Sequence, residues 1–409
     1  MAPLSYLSPA RKELIEKLAR MFSEKYGFSP RGFSFAPGRV NLIGEHTDYN
    51  GGFVFPAAIS QGIGWVFSPT EDSRVEIYSA DFDESFSGSW EDFASDSFWR
   101  NYRNSESRKS WLGYVAGVYV VFKSSYGFSS SKGMRAVFGG NLPMGGGLSS
   151  SAALENSFMA LLESLSGISL ECKERALLSQ KAENEMVGVE CGIMDQLASS
   201  CGKSGKAMFI DTKTLELRYV DVPLENYSLI VVNSSVKREL SSSEYNLRRK
   251  QCEEAAALLG VRFLRDVGSR ERILSVLSNN PVLLKRALHV YDENARTIKA
   301  YEVLEEGGAE AIETFGALMY DSHFSLRYYF EVSIPQLDFI VDVARRNGAL
   351  GARLVGAGFG GSAIVLIPKN ELRRFEENLT KAYKEVFSLY PKFIEVSIDD
   401  GTYSSSTIL

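Results

Sequence analysis

The 409-residue sequence contains little cysteine and little histidine. Its four cysteines, which form no C-x-x-C pair, are Cys172, Cys191, Cys201 and Cys252. Cysteines this sparse do not make a disulfide framework, so we expect them to be reduced, which favours a cytoplasmic location. The three histidines are scattered singly, which excludes a histidine-based zinc cage. Any bound metal is therefore expected on oxygen ligands.

Long hydrophobic runs are also missing. Residues 49–70 and 136–154 lack charge, but Gly, Pro, Asn, Ser or Gln interrupt both, unlike a membrane span. Charges at residues 11–13 break any apolar core near the start, so we expect no secretory signal. Lys and Arg number 45 against 51 Asp and Glu, a mild acidic excess that argues against nucleic acid or an anionic membrane as partner. A small molecule is the expected ligand.

The composition, with 44% hydrophobic and 23% charged residues, is that of a globular protein of two or three packed units. Helical periodicity predicts helices over 152–165, 170–186, 241–259, 336–346 and 371–390. Short β-type runs predict strands over 33–35, 53–55, 63–67, 75–78, 207–210, 217–220, 228–232, 353–355 and 363–367. The pattern is that of an α+β protein. We place a domain boundary near residue 220, which divides the chain into 1–220 and 221–409.

The segment GNLPMGGGLSSSAA at residues 140–153 runs directly into a predicted helix. Gly145, Gly146 and Gly147 lack a Cβ, so their backbone N–H groups can close on an anion, and a helix N-terminus adds unpaired donors. The serines at 149–151 can donate hydrogen bonds or ligate Mg²⁺. These features predict a phosphate-binding loop. An ordinary glycine turn with serine caps is the alternative, and no Walker-type lysine follows.

A second glycine cluster, GAGFGG at residues 356–361, satisfies the G-x-G-x-x-G pattern of dinucleotide-binding proteins. That motif requires a helix after the glycines, whereas residues 362–367 have the pattern of a strand. The cluster is therefore predicted to connect two strands, either as a loop that supports ATP or as a plain hairpin.

Two further segments concentrate polar side chains. Within residues 36–52, the candidates for hydrogen bonds to a polyol are Arg39, Glu45, His46, Asp48 and Asn50. Burying such groups is costly unless a ligand or a mutual ion network satisfies them, and the sequence leaves both open. Within residues 183–196, Glu183 and Asp195 are candidates for a Mg²⁺ ligand and a catalytic base, with routine surface acids as the alternative.

These segments together resemble a known family. Residues 37–50 (PGRVNLIGEHTDYN) look like the galactokinase signature, and the loop at 145–153 resembles the ATP motif of the GHMP small-molecule kinases. The cluster at 356–361 is similar to the third family motif. Shorter matches at 191–196, 243–245, 293–296 and 322–326 extend the resemblance over roughly residues 30 to 365.

The resemblance implies a two-lobed GHMP kinase fold with mixed sheets and a substrate cleft between the lobes. It also implies ATP-dependent phosphorylation of the C1 hydroxyl of α-D-galactose. By the same resemblance, Asp195 is the catalytic acid or base and Arg39 its neighbour. A nearby guanidinium favours the ionised carboxylate, so Asp195 is expected to be charged. Whether it takes the proton or only orients the hydroxyl stays open.

The family pattern assigns the remaining roles. The implied galactose contacts are Glu45, His46, Asp48, Gly192, Asp195 and Tyr245. The implied ATP-binding residues are Gly145, Gly146, Gly147, Leu148, Ser149, Ser150, Ser151, Trp111 and Tyr114, where the two aromatics would stack on adenine or else be core residues. Mg²⁺ is assigned to Glu183 and Ser151, with Ser150 as the competing serine.

Two alternative functions remain at this level. A related kinase for N-acetylgalactosamine or another sugar needs only a different pocket wall. A galactose- and ATP-binding sensor without catalysis is disfavoured, because the serine-alanine run at 149–153 and Asp195 are complete. Arg238 and Glu239 stand where several galactokinases have a histidine, a departure that bears on substrate preference. A monomer is the default expectation for the oligomeric state.

Overall fold

The computed structural model describes residues 7–104, 110–143, 146–236 and 241–407, with side chains described from residue 244 in the last segment. The helices in these ranges are α1 (Pro9–Tyr26), α2 (Trp90–Ala94), α3 (Asp96–Asn104), α4 (Trp111–Tyr126), α5 (Ser150–Ser166), α6 (Cys172–Lys181), α7 (Met194–Cys201), α8 (Ser241–Leu258), α9 (Arg270–Val276), α10 (Pro281–Glu306), α11 (Ala311–Ser325), α12 (Pro335–Arg346) and α13 (Leu372–Phe387). The strands are β1 (Gly32–Asn41), β2 (Phe53–Val54), β3 (Pro56–Pro69), β4 (Val75–Ser79), β5 (Glu84–Gly88), β6 (Met134–Gly140), β7 (Lys206–Asp211), β8 (Glu216–Asp221), β9 (Tyr227–Asn233), β10 (Gly351–Val355), β11 (Ser362–Pro368), β12 (Lys392–Val396) and β13 (Tyr403–Ser405). The predicted α+β class is confirmed.

Among the described residues, the strands form three sheets. A six-stranded sheet has the order β13-β1-β3-β6-β4-β5, a four-stranded sheet β10-β11-β9-β12, and a three-stranded sheet β2-β7-β8. The pair β4 and β6 is parallel, whereas the other strand pairs are antiparallel. One apolar core lies between the six-stranded sheet and helices α4 and α5, and another surrounds the four-stranded sheet with α8, α12 and α13.

The predicted phosphate loop leads into α5, as its sequence pattern indicates. Ser149 precedes the helix with a left-handed φ of 59°, and the helix ends at Gly167, whose φ is 75°. Its apolar residues, Phe158 and Leu161 among them, are fully buried against the core. Burial of this face anchors the helix, so that its N-terminus is held at a fixed position.

The second glycine cluster joins β10 to β11, which pair as antiparallel neighbours from Gly351 with Leu366 to Val355 with Ser362. A strand and not a helix therefore follows the glycines, and the prediction against a dinucleotide fingerprint is confirmed. Residues 356, 358, 360 and 361 all have φ between +78° and +122°, a range that glycine adopts without steric cost.

The last described strand, β13, returns to the first sheet and pairs with β1 through Phe33 and Ser405. The end of the chain thus contacts the sheet that its beginning forms, and the domain boundary near residue 220 stays a prediction. In the part of the chain that the structure describes, no helix has both the length and the apolar character needed to cross a membrane.

The expectation of four reduced cysteines is wrong for one pair. Cys172, the first residue of α6, forms a disulfide with Cys201, the last residue of α7, while Cys191 and Cys252 are free. The two helices pack side by side and bring the sulfurs together. The sequence separation of 29 residues carries no signal of that packing, so the sequence alone does not predict the disulfide.

Reduction of this bridge is expected to lower the stability of the protein. A crosslink over 29 residues removes loop entropy from the unfolded chain worth about 3 to 4 kcal/mol. Urea unfolding with and without a thiol reductant measures the difference. The double variant Cys172→Ser/Cys201→Ser should unfold at the midpoint of the reduced protein and should not respond to reductant. Equal midpoints for oxidised and reduced wild type would contradict the prediction.

Candidate active site

The centre of the site is an ion pair between residues 156 positions apart in the sequence. The Arg39 guanidinium, on β1, donates from Nε to Asp195 Oδ1 and from Nη2 to Asp195 Oδ2, both at 2.9 Å. Its Nη1 donates to the carbonyl of Gly147 in the phosphate loop, at 2.7 Å. Such a bidentate ion pair fixes the plane of the carboxylate. The arginine is 4% exposed, and the Asp195 side chain is 30% exposed, so the carboxylate faces open space.

That open space is a cavity of about 250 Å³, lined from both halves of the chain. The described lining residues are Arg39, Leu142, Pro143, Gly146, Gly147, Leu148, Ser149, Ser150, Ser151, Asp195, Gly356 and Ala357. The N-terminus of α5 opens onto it, with the partial positive charge that attracts phosphate. Two distant glycine motifs therefore share one cavity. Gly145, which the sequence assigns to ATP, lies outside the described residues.

Close contacts hold the phosphate loop in place. The Ser149 hydroxyl donates to Asp195 Oδ2 at 2.5 Å, and the Ser362 hydroxyl donates to the carbonyl of Gly146 at 2.7 Å. A Cβ on Gly38 would lie 2.6 Å from the carbonyl oxygen of Leu148, so a side chain there would push the loop away. The loop is thus fixed by β1, by β11 and by the catalytic candidate itself.

The predicted sugar residues gather beside Asp195. The carboxylate of Asp48 lies against Gly192, where a Cβ would come within 1.8 Å of Asp48 Oδ2. The Tyr245 hydroxyl is close enough to Asp48 and Asp195 for their charges to raise its pKa, after burial as the main cause. Glu45 is buried, with 3% exposed. These four side chains and one glycine come from three distant segments, and the structure brings them together.

His46 has a different environment from the other predicted sugar contacts. Its Nδ1 lies 2.8 Å from the Tyr49 hydroxyl and its Nε2 lies 3.2 Å from the carbonyl of Ala357. Burial lowers the pKa of the ring to about 3, so it is neutral. With Nε2–H donating to the carbonyl, Nδ1 accepts from the tyrosine. Both ring nitrogens then have hydrogen-bond partners within the protein. His46 thereby connects the signature at residues 37–50 to the third glycine motif at residues 356–361.

Asp48 differs from an ordinary surface aspartate in its charge. Burial, followed by the neighbouring charge of Asp195, raises the pKa of Asp48 to about 7. Desolvation disfavours the charged form of any carboxylate, and a second carboxylate nearby adds to the effect. Around neutral pH the side chain therefore exists in both protonation states.

The predicted metal ligand Glu183 lies in a single π-helical turn, Ala182–Val187, which continues α6. π-turns of this kind are frequent at functional sites. The Gln196 side chain donates from Nε2 to Glu183 Oε2 at 2.7 Å, and the Ser151 hydroxyl is near enough to favour the ionised carboxylate. Burial, with Asp195 adding to it, raises the pKa of Glu183 to about 7. A cation at this position would offset that cost.

The donor set around Glu183 fits Mg²⁺. Ser151 lines the cavity and its hydroxyl is close to the Glu183 carboxylate, so the two residues offer the oxygen ligands that a hard cation requires. Glu155, fully buried next to Glu183, has an Oε1 without a hydrogen-bond partner among the described residues. Those residues contain no cluster of three or more His, Cys, Asp or Glu that could hold a metal by itself. Phosphate oxygens of the nucleotide would have to complete the coordination.

The two aromatic residues assigned to adenine lie apart from this cavity. Trp111 is 5% exposed, packs against Phe138 at 5.1 Å between ring centroids, and donates from Nε1 to Glu84 Oε2 at 2.8 Å. Tyr114 is half-buried, with the carboxylates of Glu183 and Glu155 nearby. The packing of Trp111 supports the core position that the sequence left open, and an adenine contact stays a prediction for both.

Sequence reasoning missed the residues that support the signature segment from the second half of the chain. Arg353 and Glu293 are both 0% exposed and contact residues 41–45. Glu293 lies within the family match at 293–296, but no local pattern links it to the polar segment at residues 36–52. Arg353 precedes the third glycine motif by three positions and carried no signal. Arg238 and Glu239, the departure from the family pattern, lie outside the described residues.

Comparisons with known sequences agree with this geometry. Residues 20–69 match the galactokinase galactose-binding signature, residues 113–203 the N-terminal domain of GHMP kinases, and residues 293–385 the C-terminal one. A galactokinase of Thermotoga neapolitana is 43% identical over 368 residues, which cover 90% of this chain and 98% of that protein. A galactokinase of Actinobacillus pleuropneumoniae serotype 3 is 38% identical over 391 residues, 93% of this chain and 97% of that protein.

Solved structures give the same result. The Lactococcus lactis galactokinase complexed with galactose has a TM-score of 0.87 and 33% identity, covering 95% of this chain and 99% of that one. The Methanococcus jannaschii mevalonate kinase, at 18% identity and a TM-score of 0.65, covers 91% of this chain and 99% of its own and shares the fold alone. The predicted GHMP kinase fold is confirmed, and the chain belongs to the galactokinase family of the GHMP kinases.

Proposed function

We propose that this chain transfers the γ-phosphoryl group of ATP to the C1 hydroxyl of α-D-galactose, with ADP and galactose 1-phosphate as products. The observation that carries the proposal is the Arg39–Asp195 pair, which lies between the phosphate loop and the predicted sugar residues. Membership of the galactokinase family supports the same reaction.

Asp195 acts on the acceptor hydroxyl. Its carboxylate, held by Arg39 and Ser149, orients the C1 hydroxyl and accepts its proton. Phosphoryl transfer passes through a loose transition state, in which the hydroxyl becomes acidic as it bonds to phosphorus, so a weak base is sufficient late in the reaction. Arg39 also offsets negative charge on the transferring group, a contribution that is strong in a site with little water.

The phosphates of ATP bind at the N-terminus of α5. Backbone N–H groups of Gly147 and Leu148 and the Ser150 hydroxyl donate to phosphate oxygens, and the resemblance assigns Gly145 to the same role. Gly146 and Ser149 shape the loop beside the phosphates, because the Gly146 N–H already donates to the carbonyl of Pro143 and the Ser149 hydroxyl to Asp195. Glu183 and the Ser151 hydroxyl hold Mg²⁺, which supplies charge neutralisation for the phosphates when bound. Trp111 and Tyr114 are assigned to the adenine side by the family pattern alone.

The galactose hydroxyls are recognised by side chains that the two halves of the chain bring together. Glu45 and Asp48 accept from hydroxyls, Tyr245 packs and hydrogen-bonds at the rim, and Gly192 allows the ring to approach the backbone closely. His46 closes the pocket with its ring, which packs at a tilt against Tyr245 with 5.7 Å between the ring centroids. The buried polar groups then find partners in the ligand, as burial requires.

A panel of acceptors tests the reaction and its rivals. ADP release is measured with galactose, N-acetylgalactosamine, galacturonate, arabinose and mevalonate. The highest kcat/KM is expected with galactose. A best rate with another acceptor would replace galactose as the substrate, and tight binding of galactose and ATP without turnover would indicate a sensor. The monomeric state, the cytoplasmic location and the domain boundary near residue 220 stay predictions.

Galactose affinity is expected to rise with pH because of Asp48. With its pKa at about 7, the side chain is protonated below neutrality and ionised above it. The ionised carboxylate accepts from sugar hydroxyls at both oxygens, whereas protonation turns one oxygen into a donor, so the KM for galactose should fall between about pH 6 and pH 8. The KM is measured at saturating ATP. In Asp48→Asn the pH dependence should vanish, whereas a slope equal to that of the wild type would contradict the assignment.

A further inference from the structure

The segment that carries Glu45 and Asp48, residues 44–53, is attached mainly to the second half of the chain. We call it the signature loop. A Cβ on Gly44, whose φ is +88°, would lie 2.9 Å from the Thr297 hydroxyl of α10. A Cβ on Gly52 would lie 2.4 Å from Asn294 Oδ1 of the same helix. The glycines of the loop therefore pack directly against polar side chains of α10.

Arg353, on β10, holds the Glu45 side chain. Its Nη2 donates to Glu45 Oε2 at 2.6 Å and its Nη1 donates to the carbonyl of Asn41 at 2.7 Å. The two paired residues are 308 positions apart, and their side chains are 0% and 4% exposed. Burial raises the pKa of Glu45, and the arginine counteracts this as the largest opposing influence. Among the described residues, Glu45 Oε1 receives no hydrogen bond, so it is free to accept one from a ligand.

Glu293, on α10, holds the backbone at the same position. Its Oε1 accepts from the N–H groups of Gly44 at 3.0 Å and Glu45 at 3.2 Å, and from the Ser322 hydroxyl at 2.6 Å. Its Oε2 accepts from Arg296 Nε at 2.8 Å. Burial alone would raise the pKa of Glu293. Arg296 and the other neighbouring charges outweigh burial and lower this pKa to about 2. The carboxylate is fully engaged and does not reach the cavity.

We propose that Arg353 and Glu293 are positioning residues for galactose, which act through Glu45 and not by contact with the sugar. One fixes the carboxylate of Glu45 and the other its main chain, so the free Oε1 points in one direction. This rests on the proposed galactose-binding function of Glu45. A carboxylate left without its buried partner turns or takes up a proton, and either change removes a hydrogen bond to the substrate.

The test uses the full-length protein and the variants Arg353→Gln and Arg353→Lys. The KM for galactose is expected to rise about 10- to 100-fold in Arg353→Gln, the cost of one lost hydrogen bond to a charged group. In Arg353→Lys, which keeps the positive charge, the rise should be smaller. The KM for ATP should stay within about twofold in both, because none of the described residues of the phosphate loop is hydrogen-bonded to Arg353. Galactose binding by calorimetry measures the same loss without turnover.

Arg11→Gln is the matched control. Arg11 is also buried, with 2% exposed, and pairs with Asp399 at 3.1 Å while donating to the carbonyls of Ile59 and Asp400. This variant should lose thermal stability as Arg353→Gln does, but it should keep the wild-type KM for galactose. An equal rise in galactose KM in both variants would mean that general loosening, and not positioning, is responsible.

A double-variant cycle separates positioning from a merely structural role. If Arg353 acts through Glu45, then Arg353→Gln should add little to galactose KM in a Glu45→Gln background, whereas independent effects would multiply. Glu293→Gln keeps an acceptor for the two N–H groups and should raise galactose KM less than Glu293→Ala. If Arg353→Gln does not fold, the variants Glu293→Gln and Arg353→Lys are used for the test instead.

Failure of the proposed function and failure of the positioning role give different results. A wild type that binds and phosphorylates another sugar but not galactose overturns the proposed function. A wild type active on galactose, with folded Arg353 and Glu293 variants whose galactose KM is unchanged or rises in parallel with the KM for ATP, overturns the positioning role alone.

Discussion

Asp195→Ala is expected to lower kcat about a thousandfold while nucleotide affinity changes by less than about threefold. In the proposed mechanism, removal of the carboxylate takes away the group that orients the acceptor hydroxyl and receives its proton, a loss worth about 10² to 10⁴ in rate. It also frees the Arg39 guanidinium, which the carboxylate engages through two hydrogen bonds. Steady-state kcat is measured by coupled ADP release, and ATP affinity by calorimetry.

Two further variants show whether the loss is chemical. Asp195→Asn keeps the size of the side chain and an acceptor for Arg39, so a similar fall in kcat points to the missing charge and not to a collapsed site. Asp399→Ala removes another carboxylate that pairs with a buried arginine, Arg11, and should leave kcat unchanged. Near-wild-type turnover in Asp195→Ala would exclude both assigned roles for this residue.

Local patterns predicted most of the fold because each element carries its own signal. The run at 207–210 became β7 (Lys206–Asp211), and the periodic stretch at 152–165 became α5 (Ser150–Ser166), each within two residues. In the stretch 170–186 the helix instead changes to a π-turn at Ala182, which periodicity does not reveal. The pairing of β13 with β1 joins the two ends of the described chain, so no local feature of the sequence predicts it.

The site divides in the same way. Arg39, Ser149 and Asp195 stand in compact motifs, so their residue types and neighbours indicated the chemistry. Arg353 and Glu293 act across more than 240 residues, through a guanidinium and a carboxylate that are fully buried. A buried charge in a strand or helix has the same local sequence context whether it supports a site or a core, and only the folded contacts distinguish the two.

Glu183→Gln is expected to raise the Mg²⁺ concentration required for half-maximal activity by about 10- to 100-fold, the range seen when a metal site loses support. The carboxylate is buried, with 5% exposed, and its pKa of about 7 reflects the cost of a charge that a cation would offset. An amide keeps the shape but neither the charge nor a second oxygen. Activity is titrated with Mg²⁺ at fixed ATP.

A part of kcat should return at high Mg²⁺, because the other ligands that we propose, the phosphates and the Ser151 hydroxyl, remain. Calorimetry of ATP binding with and without Mg²⁺ provides a second readout, in which the metal should strengthen binding less in the variant. Glu163→Gln is the control, since Glu163 is a buried carboxylate paired with Arg175 at 2.6 Å and has no place in the cavity. An unchanged Mg²⁺ requirement in Glu183→Gln, with the control also unchanged, would mean that other oxygens hold the metal. The first to examine is Oε1 of Glu155, which has no hydrogen-bond partner in the part of the chain that the structure describes.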